Sequence, residues 1–275
     1  MSLAASQVES YRRQGFLLRR GLLPAEAVAR VHDDAREVFA LQMRRLGLLP
    51  DDAADPAAFE AAMVALFERH LDCFVNCGKQ AQHLVSLHAL SLDARILGVL
   101  HELGLTKPNI STRPLLYFND RRLAKKEVYW RLSAHQDWRS MQGSLDSVVV
   151  WMPLIDIDVA RGALEVIAGS HRWGLLPAEM RDGYGHPLET VGEESFEPVE
   201  VRRGDALFFS AFLVHRSGTN VSDRIRWSCH FRYNNLLEPT FVERGFPHPY
   251  VYHPQEELIT PGFPARQLLA DLFAT

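Results

Sequence analysis

Hydrophobic residues recur every three or four positions through the first hundred residues, then fall into short runs broken by turn formers from Ile110 onward. The first rhythm is that of helices packed by one face. A short polar helix is predicted over Gln7 to Gln14, stopped by Gly15 before the extended Phe16-Leu17-Leu18. Pro24 suits the first turn of a second helix, whose Val28, Val31, Ala35 and Val38 follow at spacings of three and four. Asp55-Pro56 reads as an N-cap with proline in the first turn, opening a helix striped by Phe59, Met63, Leu66 and Phe67. Two more helices are predicted, from about Lys79 to Leu87 and from Asp93 to Leu103, the latter closed by Gly104.

The second rhythm is that of strands. Candidates are Pro114–Asn119, Trp130–Ala134, Ser147–Pro153, Ala163–Ile167, Ala206–Leu213 and Ile225–Tyr233, with Asp182–Pro198 as a long loop. Many short strands at this spacing predict a sandwich, jelly roll or barrel. No charged or Gly/Ser-rich linker separates the two halves, so the helices are expected to cover a sheet. The expectation is one α+β domain with a mainly β core: helices over about 1–105, strands over about 110–235 and a C-terminal extension over about 236–275.

The run Ile225–Tyr233 carries more than a strand prediction. Trp227, Cys229, Phe231 and Tyr233 fall on one face, and Arg226, Ser228, His230 and Arg232 on the other. A face of two arginines, a serine and a histidine suits a strand lining a polar cavity, although an ordinary solvent-exposed face would look the same.

Composition removes some functions. The 275 residues are 47% hydrophobic and 23% charged with a net charge of −4, so no global basic field points to nucleic acid. No apolar run reaches membrane-spanning length and the first residues lack the apolar centre of a signal peptide, so the cytoplasm is the expected compartment. Three cysteines give no disulfide framework. Cys73 and Cys77 share a helical face and read as buried thiols.

Candidate chemistry centres on Ser133-Ala134-His135-Gln136-Asp137-Trp138-Arg139. In an extended strand His135 and Asp137 point to the same side, and one further ligand would complete a 2-His-1-carboxylate set. That set suits Fe(II) and leaves positions open for a cosubstrate and O2. His-x-Asp alone is commonly no more than a surface pair. Among twelve histidines, His215 stands out because it closes the apolar run Ala206–Val214 and is followed by turn formers. Arg226, eleven residues later, can clamp a carboxylate with two parallel hydrogen bonds.

Four segments in order carry a resemblance. They are Tyr11–Leu18 with Gly21-Leu22-Leu23-Pro24; His135-Gln136-Asp137; Gly162–His171; and Gly204-Asp205 through His215, Asn220 and Arg226. Together they resemble the phytanoyl-CoA dioxygenase family of Fe(II)- and 2-oxoglutarate-dependent oxygenases, over about residues 8 to 235. The resemblance implies a double-stranded β-helix with His135, Asp137 and His215 as iron ligands. It implies Arg226 as partner of the distal carboxylate of 2-oxoglutarate, with Trp151 contacting the cosubstrate and Ser228 in support. Ala168 departs from the proline common in relatives, and nothing beyond about Asn235 matches. The implied reaction is hydroxylation of a C–H bond, with release of succinate and CO2, on a small-molecule substrate. Asp137 itself disfavours halogenation, since related halogenases lack that carboxylate.

On the substrate side, Tyr117, Trp138, Arg139, His230 and Arg232 are the candidates. Arg121–Lys126 and Arg131 would greet an anionic group, unless they form only a solvated loop. Neither nucleic acid nor membrane is an expected partner. Two other readings stay open: a cupin-like metal-dependent hydrolase or isomerase using the same three ligands, and a silent ligand-binding module. The hydrolase has no need of Arg226, and a serine hydrolase would need a Gly-x-Ser-x-Gly elbow that is lacking.

Overall fold

A computed structural model of the protein describes residues 2–50, 55–123, 132–179, 191–192, 196–250, 257–265 and 267. Its elements run α1 (Ala5–Gln14), β1 (Phe16–Arg19), α2 (Ala25–Arg45), α3 (Pro56–Arg69), α4 (Leu71–Ala81), α5 (Val85–Ser91), α6 (Ala94–Glu102) and β2 (Pro108–Asn119). There follow α7 (Trp138–Met141), β3 (Val148–Pro153), β4 (Leu164–Val166), β5 (Glu197–Val199), β6 (Ala206–Ser210), β7 (His215–Ser217), β8 (Arg226–Asn235) and α8 (Pro239–Glu243). Two antiparallel sheets result, a large one ordered β1-β6-β3-β8-β2 and a small one ordered β5-β4-β7. This is the α+β, two-sheet architecture of a double-stranded β-helix with helices on one face.

Alternation along the strands builds two cores from one sheet. Val148, Val150 and Met152 of β3, with Ala206 and Phe208 of β6, face the helices; Val149, Trp151, Leu207 and Phe209 face the small sheet. The helix-side core joins Val28, Phe39, Met63, Phe74 and Ile96 to Trp227, Cys229, Phe231 and Tyr233 of β8. At its centre Phe39, Phe74, Phe118 and Trp227 meet at ring separations of 5.2 to 6.0 Å, mostly edge to face, the geometry aromatic quadrupoles favour. Among the described residues no single helix is long and apolar enough to cross a membrane. A bent pair, Leu71–Ala81 with Val85–Glu102, passes by length and composition alone, and its Phe74, Cys77, Leu87, Leu90 and Ile96 are core residues.

Most predicted elements form, with instructive departures. Asp55 caps α3 by accepting from the Ala57 amide, and Gly15 ends α1 in the left-handed region. The helix predicted over Lys79 to Leu87 is instead the end of α4 and the start of α5. Tight bonds from the Gln82 and His83 amides close α4, and extended Leu84 restarts the chain so that Leu87 and Leu90 reach the core. The run Ala206–Leu213 is not one strand: β6 stops at Ser210, whose carbonyl accepts from the Leu213 amide in a turn that carries the chain to the small sheet. Pro198 sits in β5, opposite Glu165, and not in a loop. Of Trp130–Ala134, residues 130 and 131 lie outside the described residues, and 132–134 are not strand.

Gly162 shows how tightly the two sheets are joined. Its φ is +77°, and a Cβ there would lie 2.7 Å from the Gly218 carbonyl and 2.9 Å from the Asn220 amide. Its own carbonyl accepts from Arg226. Gly162→Ala is therefore expected to cost roughly 1–3 kcal/mol, read by denaturant unfolding, and to disturb Arg226. Unchanged stability would contradict this packing.

Candidate active site

The three predicted ligands do converge, but not on one strand. His135 and His215 form an isolated antiparallel bridge, each amide donating to the other's carbonyl at 3.0 and 3.1 Å. Directly opposed residues of such a pair project to the same side, and their rings stand 4.2 Å apart. After His135 the chain does not continue extended. Asp137 has helical φ −66°, ψ −28° and leads into α7, so the turn, not strand alternation, returns its carboxylate to His135. His215 likewise opens β7 and does not close β6.

The donor atoms of His135, Asp137 and His215 all lie within 4.8 Å of one another, and all three residues are buried. His135 Nδ1 donates to the Ser133 carbonyl at 2.7 Å, and His215 Nδ1 to the Leu213 carbonyl at 2.9 Å. Those bonds fix the tautomer that presents Nε2 as the acceptor, the form a metal requires. His135 Nε2 is 3.9 Å from Asp137 Oδ1, and His215 Nε2 is 3.8 Å from Asp137 Oδ2. Burial, with His135 beside it, pushes His215 down to about 4, so it is neutral near pH 7.

Asp137 is held from the other side by Arg232, whose Nη2 donates to Oδ1 at 2.6 Å, while Oδ2 has no hydrogen-bond partner. Burial would raise the Asp137 carboxyl, but the Arg232 guanidinium against it leads the opposing effects and holds it far below the usual range. Arg232, expected on the substrate side, is thus bound to the carboxylate of the ligand set. Gln136 ties the motif down as well, donating to the Gly174 and Phe212 carbonyls and accepting from the Leu176 amide.

The rest of the polar face of β8 is buried too. All ten residues of β8 are buried, so the solvent-exposed alternative is excluded. Arg226, 2% exposed, donates to the Gly162 carbonyl, to Asn119 Oδ1 and, at 3.3 Å, to Ser217 Oγ. No carboxylate touches it among the described residues, its Nε has no partner, and burial lowers it to about 10. Ser228 Oγ, two residues on along the same face, is also without a partner. Trp151 lies opposite His230 and joins the core between the sheets. His230 packs 5.1 Å from the Tyr117 ring and is kept neutral by burial.

A cavity of about 370 Å3 adjoins the cluster. Of the sequence candidates, His135, Asp137, Tyr117, Arg139 and Arg232 line it. Trp138 does not: its indole donates to the Ser144 carbonyl at 3.1 Å and stacks on Phe212, which is a packing role. Thr112, Arg113, Gln142 and Tyr250 line the cavity without having been anticipated. A register shift in β2 between Thr112 and Leu115 brings Thr112 and Arg113 to it together, which strict alternation would forbid. Asn119 and Ser217, which hold Arg226, were also missed. Only the register, Asn119 opposite Arg226, reveals the first. The segment Lys125-Lys126 and Arg131 lies outside the described residues.

Comparison with known proteins agrees with this geometry. The family model described as phytanoyl-CoA dioxygenase (PhyH) matches residues 11–228. A 1-deoxypentalenic acid 11-beta-hydroxylase of Streptomyces exfoliatus is 32% identical over 126 residues, 41% of this chain and 42% of its own. Peroxisomal phytanoyl-CoA dioxygenase of Bos taurus is 23% identical over 247 residues, 83% of this chain and 68% of its own. The first curated relatives are matched over 27% to 42% of their own length. The crystal structure of the epimerase SnoN, in complex with Fe3+, alpha ketoglutarate and nogalamycin RO, superposes with a TM-score of 0.57 at 18% identity. It covers 92% of this chain and 93% of that one.

The buried neutral histidines make the metal-free protein acid-sensitive. Between about 4, the folded value of His215, and 6.5 the unfolded chain binds more protons than the folded one, and His230 adds in the same direction. Stability therefore rises with pH across this window. Each tenfold loss of proton affinity on folding is worth about 1.4 kcal/mol, so acidification from pH 7 to 4 should remove a few kcal/mol, seen as a falling thermal midpoint. A flat or rising midpoint would contradict the buried, neutral assignment.

Proposed function

The chain belongs to the phytanoyl-CoA dioxygenase (PhyH) family, and on that premise we propose that it is an Fe(II)- and 2-oxoglutarate-dependent oxygenase hydroxylating a C–H bond of a small molecule. His135, Asp137 and His215 would hold the iron through Nε2, Oδ2 and Nε2. The fit rests on an unpartnered buried carboxylate oxygen facing an imidazole acceptor, a donor set of the 2-His-1-carboxylate kind. When bound, Fe(II) with 2-oxoglutarate and O2 supplies the C–H oxidation, the cosubstrate leaving as succinate and CO2.

The observation that carries the cosubstrate assignment is Arg226. A guanidinium buried to 2% exposure with no carboxylate against it among the described residues is costly unless something anionic joins it. Its unpartnered Nε and the unpartnered Ser228 Oγ supply two donors on one strand face for a distal carboxylate. Asn119, Gly162 and Ser217 fix the orientation of the fork. Trp151 lies opposite the neighbouring His230 in the register of β3 and β8. Arg232 occupies Oδ1 of Asp137, leaving one oxygen for the metal and keeping the carboxylate ionised. A hydrolase on the same three ligands would have no use for Arg226.

We read the chain as one domain, since the helices and the large sheet share a core. The free thiols of Cys73, Cys77 and Cys229 support a reducing compartment, the cytoplasm.

Anaerobic addition of Fe(II) and 2-oxoglutarate should produce a weak visible charge-transfer band. His135→Ala should abolish it, and Arg226→Gln should weaken 2-oxoglutarate binding roughly ten- to a hundredfold, the worth of a lost charged hydrogen bond. Tight zinc binding without any such band would overturn the oxygenase reading in favour of the hydrolase.

A further inference from the structure

We propose that the cavity beside the metal cluster selects a small substrate carrying an organic oxyanion, a carboxylate or a phosphate monoester, and that Arg113 and Arg139 receive that group. The proposal rests on the oxygenase reading above and names the substrate class of the same site.

Charge within the cavity does not balance without such a group. Three arginines line it, Arg113, Arg139 and Arg232, against a single acid among the described lining residues, Asp137. That acid is matched by Arg232 at 2.6 Å. Arg113 and Arg139 are left as two surplus cations. Neither has a carboxylate partner among the described residues: Arg113 Nε donates to the neutral Gln82 Oε1 at 3.2 Å, and Arg139 Nη2 to the Leu176 carbonyl at 2.6 Å. Each guanidinium carries five donors, so most of each fork stays available. Iron and 2-oxoglutarate add charges of opposite sign and equal size, which leaves the surplus in place.

The placement is also suited to selection. Arg139 lies two residues beyond Asp137 and is half-buried, while Arg113 is exposed and reaches the cavity through the register shift of β2. One cation in the wall and one at the rim attract an anion from solvent and then hold it. The remaining lining mixes hydroxyl and amide groups with the apolar surfaces of Leu115, Leu132 and Pro249 and the rings of Tyr117 and Tyr250. A volume near 370 Å3 is at the small end for ligand pockets. A space of this size has little room for a long chain, whereas a compact acid finds two forks beside an apolar wall.

The test uses protein loaded anaerobically with Fe(II) and saturating 2-oxoglutarate, so that Arg226 is occupied, titrated calorimetrically with benzoate, phenyl phosphate and the neutral benzamide. At least one of the two anions should bind about tenfold or more tightly than benzamide. Which one does so distinguishes a carboxylate from a phosphate substrate. Arg139→Gln and Arg113→Gln should each narrow that gap. The charge-transfer band reports separately on the cofactor pair: its absence would sink the oxygenase reading. An intact band with no preference for either anion, or a preference that survives both substitutions, would overturn the oxyanion site.

Discussion

A strand with four polar side chains on one face has to go somewhere, and in this fold it goes to the middle of a sheet. β8 lies between β3 and β2 and all its residues are buried. One face gives Trp227, Cys229, Phe231 and Tyr233 to the helix-side core, which pins the strand. The other face then carries Arg226, Ser228, His230 and Arg232 into the space between the sheets, where unpaired charge is expensive. The arrangement of the site follows from how those groups are satisfied.

Arg232 finds Asp137 across 95 residues of chain, and that pair fixes where the carboxylate of the His-x-Asp motif sits. The motif in turn is fixed by main-chain bonds: His135 to His215, Trp138 to the Ala211 carbonyl, and the three hydrogen bonds of Gln136. Among the described residues Arg226 finds only neutral oxygens, those of Asn119, Gly162 and Ser217. Among those residues one buried arginine is neutralised by a carboxylate and the other is not. The first is paired with Asp137, and the second is the one proposed above to meet the cosubstrate carboxylate.

Much of this was legible from residue order. The alternation in Ile225–Tyr233 told which side chains share a face, because strand geometry has a period of two and admits little else. The ligand trio and Arg226 came through a motif. What alternation cannot tell is which partner a buried group meets. Arg232 therefore read only as a substrate contact, whereas it binds Asp137 while also lining the cavity. Nor can it anticipate breaks in the pattern. The shift in β2 that exposes Arg113 to the cavity, the turn after Ser210 that starts a new strand at His215, and the helical turn at Asp137 all interrupt strand alternation. Trp138 looked like a substrate wall beside the motif, yet its indole is spent on the Ser144 carbonyl and Phe212.

The central claim is that the buried trio and Arg226 make one oxidative site. The most direct measurement is conversion of 2-oxoglutarate to succinate in air, with Fe(II) and without added substrate, in the wild-type protein and in Asp137→Ala. The account predicts slow, iron-dependent succinate formation that Asp137→Ala abolishes. Succinate formation at the same rate in both proteins, or none in the wild type with iron and 2-oxoglutarate both bound, would contradict it.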